Sequence, residues 1–404
     1  MKKPFKIISI ILGSLISLCL VLLIISAVIY SPEYIYRVLV NGESKVTDYE
    51  FFPERVIAKS TTPYHYTYEI NESLGEMEIR YHSFDGEMEI APLRTVLENN
   101  DTTSFIVVKG DTVKYEEYLN GYTKDSMNTS FSSVKSLDSL LIGMAIEDGY
   151  IKNVDQSISD FIPEFKETEF ETITIKNLLM MRSKIQYEEG FAWFTDDAKT
   201  YYMPDLRNLA LNNMRIDKDY TGKFHYNNYH PLILGIILER TTGRSVSDYF
   251  QEKIWNKIGA ENDASWSIDS EKTQFEKMES GLNFKSIDYI KIGSMVLHNG
   301  TWNGQDIVNE DWITESTIAP SPLTHFDLDS DFLRDKNVGY QYMWYSIENE
   351  KGGHDIFASG KYGQYLYISP ENNVVILRTG ISTGDIQWWP DVFKQIASLT
   401  GDSI

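Results

Sequence analysis

The stretch "TSFSSVKSLDSLLIGMAIEDG", residues 129–149, sets a lysine among serines at the point where an apolar helix begins. Apolar residues recur at Val134, Leu137, Leu141, Met144 and Ala145, the period of a helix with one buried face, and Gly149 marks its end. The spacing predicts a helix of about four turns. Ser132 and Lys135 are then i and i+3, one turn apart on the same face and within reach of each other. In the plain reading, serine caps the helix and Lys135 snorkels to its surface, with no chemistry implied. In the catalytic reading, a buried amine beside a hydroxyl accepts its proton and turns the serine into a nucleophile. A Ser-x-x-Lys match is cheap in a chain of this size, so partners elsewhere must decide.

At 404 residues the chain can hold one large domain or two smaller ones. Ile7 to Pro32 carries no charge, and its almost wholly apolar part up to Tyr30 exceeds, at about 1.5 Å per residue, the roughly 30 Å of a bilayer core. The run is longer than the roughly 7–15 residues of a cleavable apolar region, and no small-x-small cleavage site precedes Tyr30. A retained transmembrane helix is therefore expected rather than a signal sequence. Lys2, Lys3 and Lys6 precede it, so the positive-inside rule predicts a single-pass cell-membrane protein with a cytoplasmic N-terminus and an extracytoplasmic remainder. The lone cysteine, Cys19, lies within this run and follows Leu18, a poor fit to a lipid-attachment site, so no internal disulfide is expected beyond it. The net charge of −22 repels nucleic acid and anionic headgroups, and solubility is its ordinary explanation.

The organisation expected along the chain is an anchor over 1–32, a juxtamembrane extension over 33–90, and one domain over 91–404. Alternation in "YHYTYEI" and "EMEIRYHSF" gives the extension one or two short strands. "APLRTVLENN" reads as a short helix, and "SFIVVKGDTVKYEEYLNG" as a hairpin turning at Lys109-Gly110-Asp111. A helical middle follows, with "TIKNLLMMRS", "PLILGIILERTTG", "SVSDYFQEKIWNKIG" and "DYIKIGSMVLHNG" each punctuated by Gly, Asn or Pro. Past residue 338 strands return in "VGYQYMWYSI", "GQYLYISP" and "NVVILRTG", before a last helix from Trp388 to Leu399. Strands at both ends around a helical middle predict an α/β (α+β) fold. Its antiparallel sheet is built from N- and C-terminal segments, with a helical subdomain inserted at about 137–330.

Partners for Ser132 and Lys135 occur downstream. "FHYNNYHPLILG" places Tyr226-Asn227-Asn228 in a loop that leads into a helix, whereas Tyr118-Leu119-Asn120 precedes the serine and ends in a turn. A Lys-x-Gly element occurs at Lys257, Lys291, Lys351 and Lys361; only Lys361-Tyr362-Gly363 runs directly into an alternating strand, "QYLYI", and so lines a site from a sheet edge. With "SFSSVKSLDSLLIGMAIEDGYIKNVDQSISDFIPEF", "ITIKNLLMMRS", "YNNYHPLILGIILERTTGRSVSDYF", "GAENDASWSID" and "SGKYGQYLYISPENNVVILRTG" in this order, the chain from about residue 92 to its C-terminus resembles serine hydrolases related to class C β-lactamases and penicillin-binding proteins. It is most similar to their 6-aminohexanoate-dimer hydrolase-like branch, which carries a Gly-x-x-Gly-Gln third element.

The resemblance implies a β-lactamase/transpeptidase-like fold and an acyl-enzyme mechanism without cofactor or metal. Ser132 would attack a carbonyl while Lys135 takes or relays its proton. Tyr226 would share the base role and return a proton to the leaving group, Asn228 would hydrogen-bond the substrate, and Lys361 with Gly363 would form the electrostatic third element. The backbone N–H groups of Ser132 and Gln364 would form the oxyanion hole. Two departures stand out: Lys184 in "MRSKIQ" replaces a common Gly, and Tyr362-Gly363-Gln364 lacks the hydroxyl often used for a substrate carboxylate. The histidines form no His-Glu-x-x-His helix, and no nucleophile elbow, P-loop or dinucleotide fingerprint occurs. The expected function is membrane-anchored extracytoplasmic hydrolysis of an amide or ester in a small-molecule or peptide substrate. The alternatives are a catalytically weak penicillin-binding or sensing module, or a D-alanyl-D-alanine peptidase acting on cell wall.

Overall fold

The computed structural model describes residues 3–190, 192–318, 323, 336–349 and 352–401. Lys2, His325 and Lys351 lie outside these. Two N-terminal helices, α1 (Lys3–Tyr30) and α2 (Pro32–Asn41), precede the strand β1 (Thr67–Tyr68). The alternating run after Asn100 forms the hairpin β2 (Thr102–Lys109) and β3 (Thr112–Tyr118). Three helices carry the middle: α3 (Lys135–Glu147), α4 (Tyr229–Thr242) and α5 (Ser286–Leu297). The C-terminal part supplies β4 (Gly339–Gln341), β5 (Trp344–Glu348), β6 (His354–Gly360), β7 (Gln364–Ser369), β8 (Val374–Gly380) and the helix α6 (Trp389–Gly401).

These strands make one eight-stranded sheet in the order β4-β5-β6-β7-β8-β2-β3-β1. All neighbours are antiparallel except β1 and β3, which run parallel. The sheet is thus closed by β8 pairing with β2, from opposite ends of the chain, as the strand pattern predicts. Successive side chains of a strand point to opposite faces, and both faces are covered here. Ile106, Val108, Leu366, Ile368, Val375 and Leu377 join a large core with Ile292 and Met295 of α5 and with Leu137, Leu141, Leu234 and Ile237 of α3 and α4. Phe105, Val107, Tyr367 and Ile376 join the opposite core with Trp389, Phe393 and Ile396 of α6. Burying each such side chain stabilises the fold by about 1.5–3 kcal/mol.

A second, four-stranded antiparallel sheet joins Glu54–Ile57, Ala264–Ser267, Leu282–Phe284 and Asn128–Thr129. It fixes the backbone just ahead of Ser132, because the Ser130 N–H donates to the Leu282 carbonyl at 2.8 Å.

The N-terminal region departs from expectation. No helix among the described residues is long and apolar enough to cross a membrane, and a helical crossing requires both properties in one helix. The expected transmembrane helix over 1–32, and the single-pass placement with an extracytoplasmic domain that rested on it, are therefore corrected. After α1 the chain turns at Ser31 (φ 89°) into α2, whose Tyr34, Ile35 and Arg37 are buried on protein. Arg37 donates to the carbonyls of Asp269 (2.7 Å) and Tyr202 (3.3 Å), and the Tyr34 hydroxyl donates to that of Trp193 at 2.5 Å. Residues 33–90 are woven into the body, supplying a strand to each large sheet and the hairpin Glu78–His82 with Met88–Pro92.

Near the start of α4, His230 is buried, with Nε2 2.5 Å from Ser183 Oγ and Nδ1 3.0 Å from Met181 Sδ. Burial, helped by His225 and Lys135, pushes its imidazole down to about 3 from an ordinary 6.5. Between those two values the unfolded chain binds a proton that the native chain refuses, so stability is lost as pH falls through that window. This one group is expected to remove on the order of 3 kcal/mol at about pH 4. Urea titrations across this range should therefore show a shallower acid loss for His230→Gln than for wild type; parallel slopes would contradict the assignment.

Candidate active site

Ser132 sits on a short 3-10 turn, Phe131–Val134, that runs straight into α3. Phe131 adopts φ 43°, a left-handed conformation that costs a bulky residue about 1–3 kcal/mol and that only a tightly packed surrounding sustains. Its ring meets Tyr362 edge-on, with centroids 5.3 Å apart, and Tyr362 is itself at φ 64°. Strained aromatic residues beside Ser132 and Lys361 therefore brace the two elements against each other.

Lys135 is 2 % exposed, so it does not snorkel. Its Nζ lies 2.7 Å from Ser132 Oγ and 2.9 Å from the Glu279 carbonyl, and 5.0 Å from the centre of the Tyr226 ring. No side-chain cap is made at the start of this helix. Of the Glu279 carboxylate, Oε1 accepts from Lys277 Nζ (3.0 Å) and Ser280 Oγ (2.8 Å), while Oε2 is buried with no hydrogen-bond partner among the described residues. Lys277 is held between the rings of Phe52 and Tyr201, at 4.5 and 4.1 Å, and burial pushes its ammonium down while Glu279 opposes that shift. One turn beyond Lys135, the fully buried Asp138 has no hydrogen-bond partner among the described residues. Burial pushes its carboxyl well above the usual range, with Lys135 opposing and Glu279 reinforcing.

The loop before α4 divides its labour. Asn227 is structural: its Nδ2 donates to the Ile185 carbonyl and its Oδ1 accepts the Tyr229 N–H. Asn228 instead lines the cavity that contains Ser132 and Lys361. The Tyr187 hydroxyl donates to Asp197 Oδ1 at 2.5 Å, so its oxygen accepts from Asn228 Nδ2 at 2.7 Å. That leaves Asn228 Oδ1 buried and unpartnered among the described residues, an acceptor suited to a substrate N–H. Tyr226 does not line this cavity; it is half-buried, with its ring on Lys135.

Lys361, Tyr362 and Gly363 form the corner between β6 and β7. Two glycines let this corner approach the nucleophile. A Cβ on Gly360 would fall 2.4 Å from the Ser130 carbonyl oxygen, and one on Gly363, at φ 76°, would fall 2.1 Å from Arg378 Nη1. Gly363 thus acts through backbone shape, and its side chain position is filled by Arg378. That arginine, buried in β8, donates to the carbonyls of Gly363 (2.7 Å), Asn100 (2.5 Å) and Ser382 (3.2 Å) and stacks 3.9 Å from the Trp389 ring. Burial pushes its guanidinium down to about 9. Sequence reasoning passed over Arg378, although one charge in the apolar run "NVVILRTG" was a visible signal. The Gln364 side chain turns into the sheet. Its Nε2 donates to the Gly380 carbonyl at 2.7 Å and to the Tyr362 carbonyl at 3.5 Å, and its Oε1 accepts the Gly380 N–H at 3.3 Å. Lys184 adopts φ 64°, the conformation for which glycine is the easier residue, and its Nζ donates to Thr172 Oγ1.

The corner makes a stability prediction. Gly363→Ala, which drives a methyl into the Arg378 guanidinium, should cost about 1–3 kcal/mol in urea denaturation. An unchanged midpoint and slope would show that the corner rearranges freely.

A family model described as Beta-lactamase matches residues 97–379. The chain is 27% identical over 316 residues to a 6-aminohexanoate-dimer hydrolase of Paenarthrobacter ureafaciens, covering 73% of this chain and 74% of that protein. It is 24% identical over 191 residues to a teichoic acid D-alanine hydrolase of Staphylococcus aureus, covering 47% of this chain and 45% of that protein. Among solved structures, a Bacillus anthracis protein named provisionally as a 6-aminohexanoate-dimer hydrolase superposes with a TM-score of 0.73 at 21% identity, over 89% of this chain and 92% of that one.

Proposed function

Because the chain belongs to the β-lactamase family of serine hydrolases, we propose that it cleaves an amide or ester bond through an acyl-enzyme on Ser132. The observation that carries this reading is the 2.7 Å contact between Lys135 Nζ and Ser132 Oγ in a buried setting, with no carboxylate contact on that amine among the described residues. In its amine form Lys135 takes the proton from Ser132 as Oγ bonds to the substrate carbonyl carbon. The electron pair moves to the carbonyl oxygen, where the N–H groups of Ser132 and Gln364 would stabilise it. On collapse the bond to the leaving amine or alcohol breaks, and the proton passes to that group by way of Tyr226. Water then attacks the Ser132 ester, its proton returns along the same groups, and the free acid leaves. Asn228 Oδ1 orients the substrate by accepting one of its N–H donors, and Lys361 sets the potential at the cleft mouth.

Small molecules or peptides with an amide or ester bond are the proposed substrate class. Both curated relatives are named as hydrolases of such compounds, one for a 6-aminohexanoate dimer and the other for D-alanine on teichoic acid.

Three variants test the assignment. Ser132→Ala should abolish turnover and labelling by a fluorophosphonate, while changing stability by no more than about 1 kcal/mol, since it deletes a single hydrogen-bonded hydroxyl. Lys135→Ala and Tyr226→Phe should each lower kcat by roughly 10²–10⁴, and the double variant should be little worse than the poorer single one. Near wild-type kcat in either single variant would remove that residue from the mechanism.

A further inference from the structure

The cavity around Ser132 has a wall that the resemblance does not supply. Val38, Gly42, Glu43 and Ser44, from the end of α2 and the turn after it, line the same cavity as Ser132, Asn228 and Lys361. Glu43 Oε1 lies 2.9 Å from Lys361 Nζ, and Ser44 Oγ lies 3.0 Å from it. The strap is held from both sides. The Tyr362 hydroxyl donates to the Ser44 carbonyl at 2.5 Å, and the Tyr202 hydroxyl donates to the Gly42 carbonyl at 3.0 Å. Behind it, Asp48 Oδ2 accepts from the Lys45 N–H and from the Tyr201 hydroxyl, both at 2.8 Å. The strap is therefore built into the active-site wall.

An ammonium at the mouth of a serine-hydrolase cleft attracts the carboxylate of an incoming substrate. Here that ammonium already has a carboxylate. Glu43 offsets the Lys361 charge, and Asp197 lines the same cavity. An arriving anion must displace Glu43 or sit beside it, and like charges brought together in a cleft cost affinity. Both partners are partly exposed, at 35% and 53%, so the pair adds little to stability and works on selection instead.

We propose that Glu43 is a specificity-determining residue that occupies the Lys361 anion position in cis, so that this enzyme prefers amides and esters lacking a carboxylate at that end. The inference rests on the reading of Ser132 as the acylated nucleophile. The Gln364 side-chain amide is itself engaged with Gly380 of β8.

The test is a matched pair of substrates, mono-p-nitrophenyl adipate and its methyl ester, hydrolysed by wild type, Glu43→Gln and Glu43→Lys. Wild type should favour the methyl ester in kcat/KM by about tenfold or more. Glu43→Gln should move that ratio about fivefold toward the acid, and Glu43→Lys further, through KM of the acid, with the movement shrinking at high salt. Fluorophosphonate labelling of Ser132 in all three proteins separates the two levels of the claim. Labelling with an unmoved ratio overturns the role of Glu43 alone. Absence of labelling in every protein overturns the serine-hydrolase reading, and this inference with it.

Discussion

A lysine amine held out of water between a serine oxygen and a backbone carbonyl is the arrangement on which the site depends. Lys135 reaches Ser132 Oγ and the Glu279 carbonyl, and nothing among the described residues gives it a carboxylate by hydrogen bond. That condition holds because the Glu279 carboxylate is bound to Lys277, which is itself fixed by Phe52 and Tyr201. A buried Lys277–Glu279 ion pair thus lies directly beside the Lys135–Ser132 contact.

The rest of the fold supplies walls to that contact. The four-stranded sheet pins the backbone at Ser130, and the eight-stranded sheet delivers the Lys361 corner through β6 and β7. Their approach is close enough to require glycine at 360 and left-handed backbone at Phe131, Tyr362 and Gly363. Arg378 holds the corner from beneath, at the cost of burying a guanidinium whose hydrogen bonds go to carbonyl oxygens and to Thr102 Oγ1. A further wall is the strap after α2, so the N-terminal region shapes the cleft as well as preceding it.

What could be read from sequence was local or periodic. Ser132 and Lys135 were legible because one helical turn fixes their separation, and Lys361 because it opens an alternating strand. The sheet was legible because its strand-like runs cluster at the two ends of the chain. Contacts with no local rule were not legible. Glu43 and Lys361 lie more than three hundred positions apart, and nothing in "NGES" announces a cleft wall. The direction of the Gln364 side chain depends on its neighbour Gly380 in β8, and the left-handed backbone at Phe131 on packing against Tyr362. The uncharged run from Ile7 to Pro32 misled in the other direction. It suggested a membrane span, whereas no described helix combines the length and apolarity that a crossing needs.

The central claim is that a substrate acyl group resides on Ser132 during turnover. Acid-quenching the enzyme during hydrolysis of a slow p-nitrophenyl ester, followed by intact-protein and peptide mass spectrometry, measures this directly. The account predicts an added mass equal to the acyl group, confined to the peptide containing Ser132, with p-nitrophenol released in a burst equal to the enzyme present. Steady hydrolysis with no burst and no adduct, or an adduct on a different peptide, would contradict it.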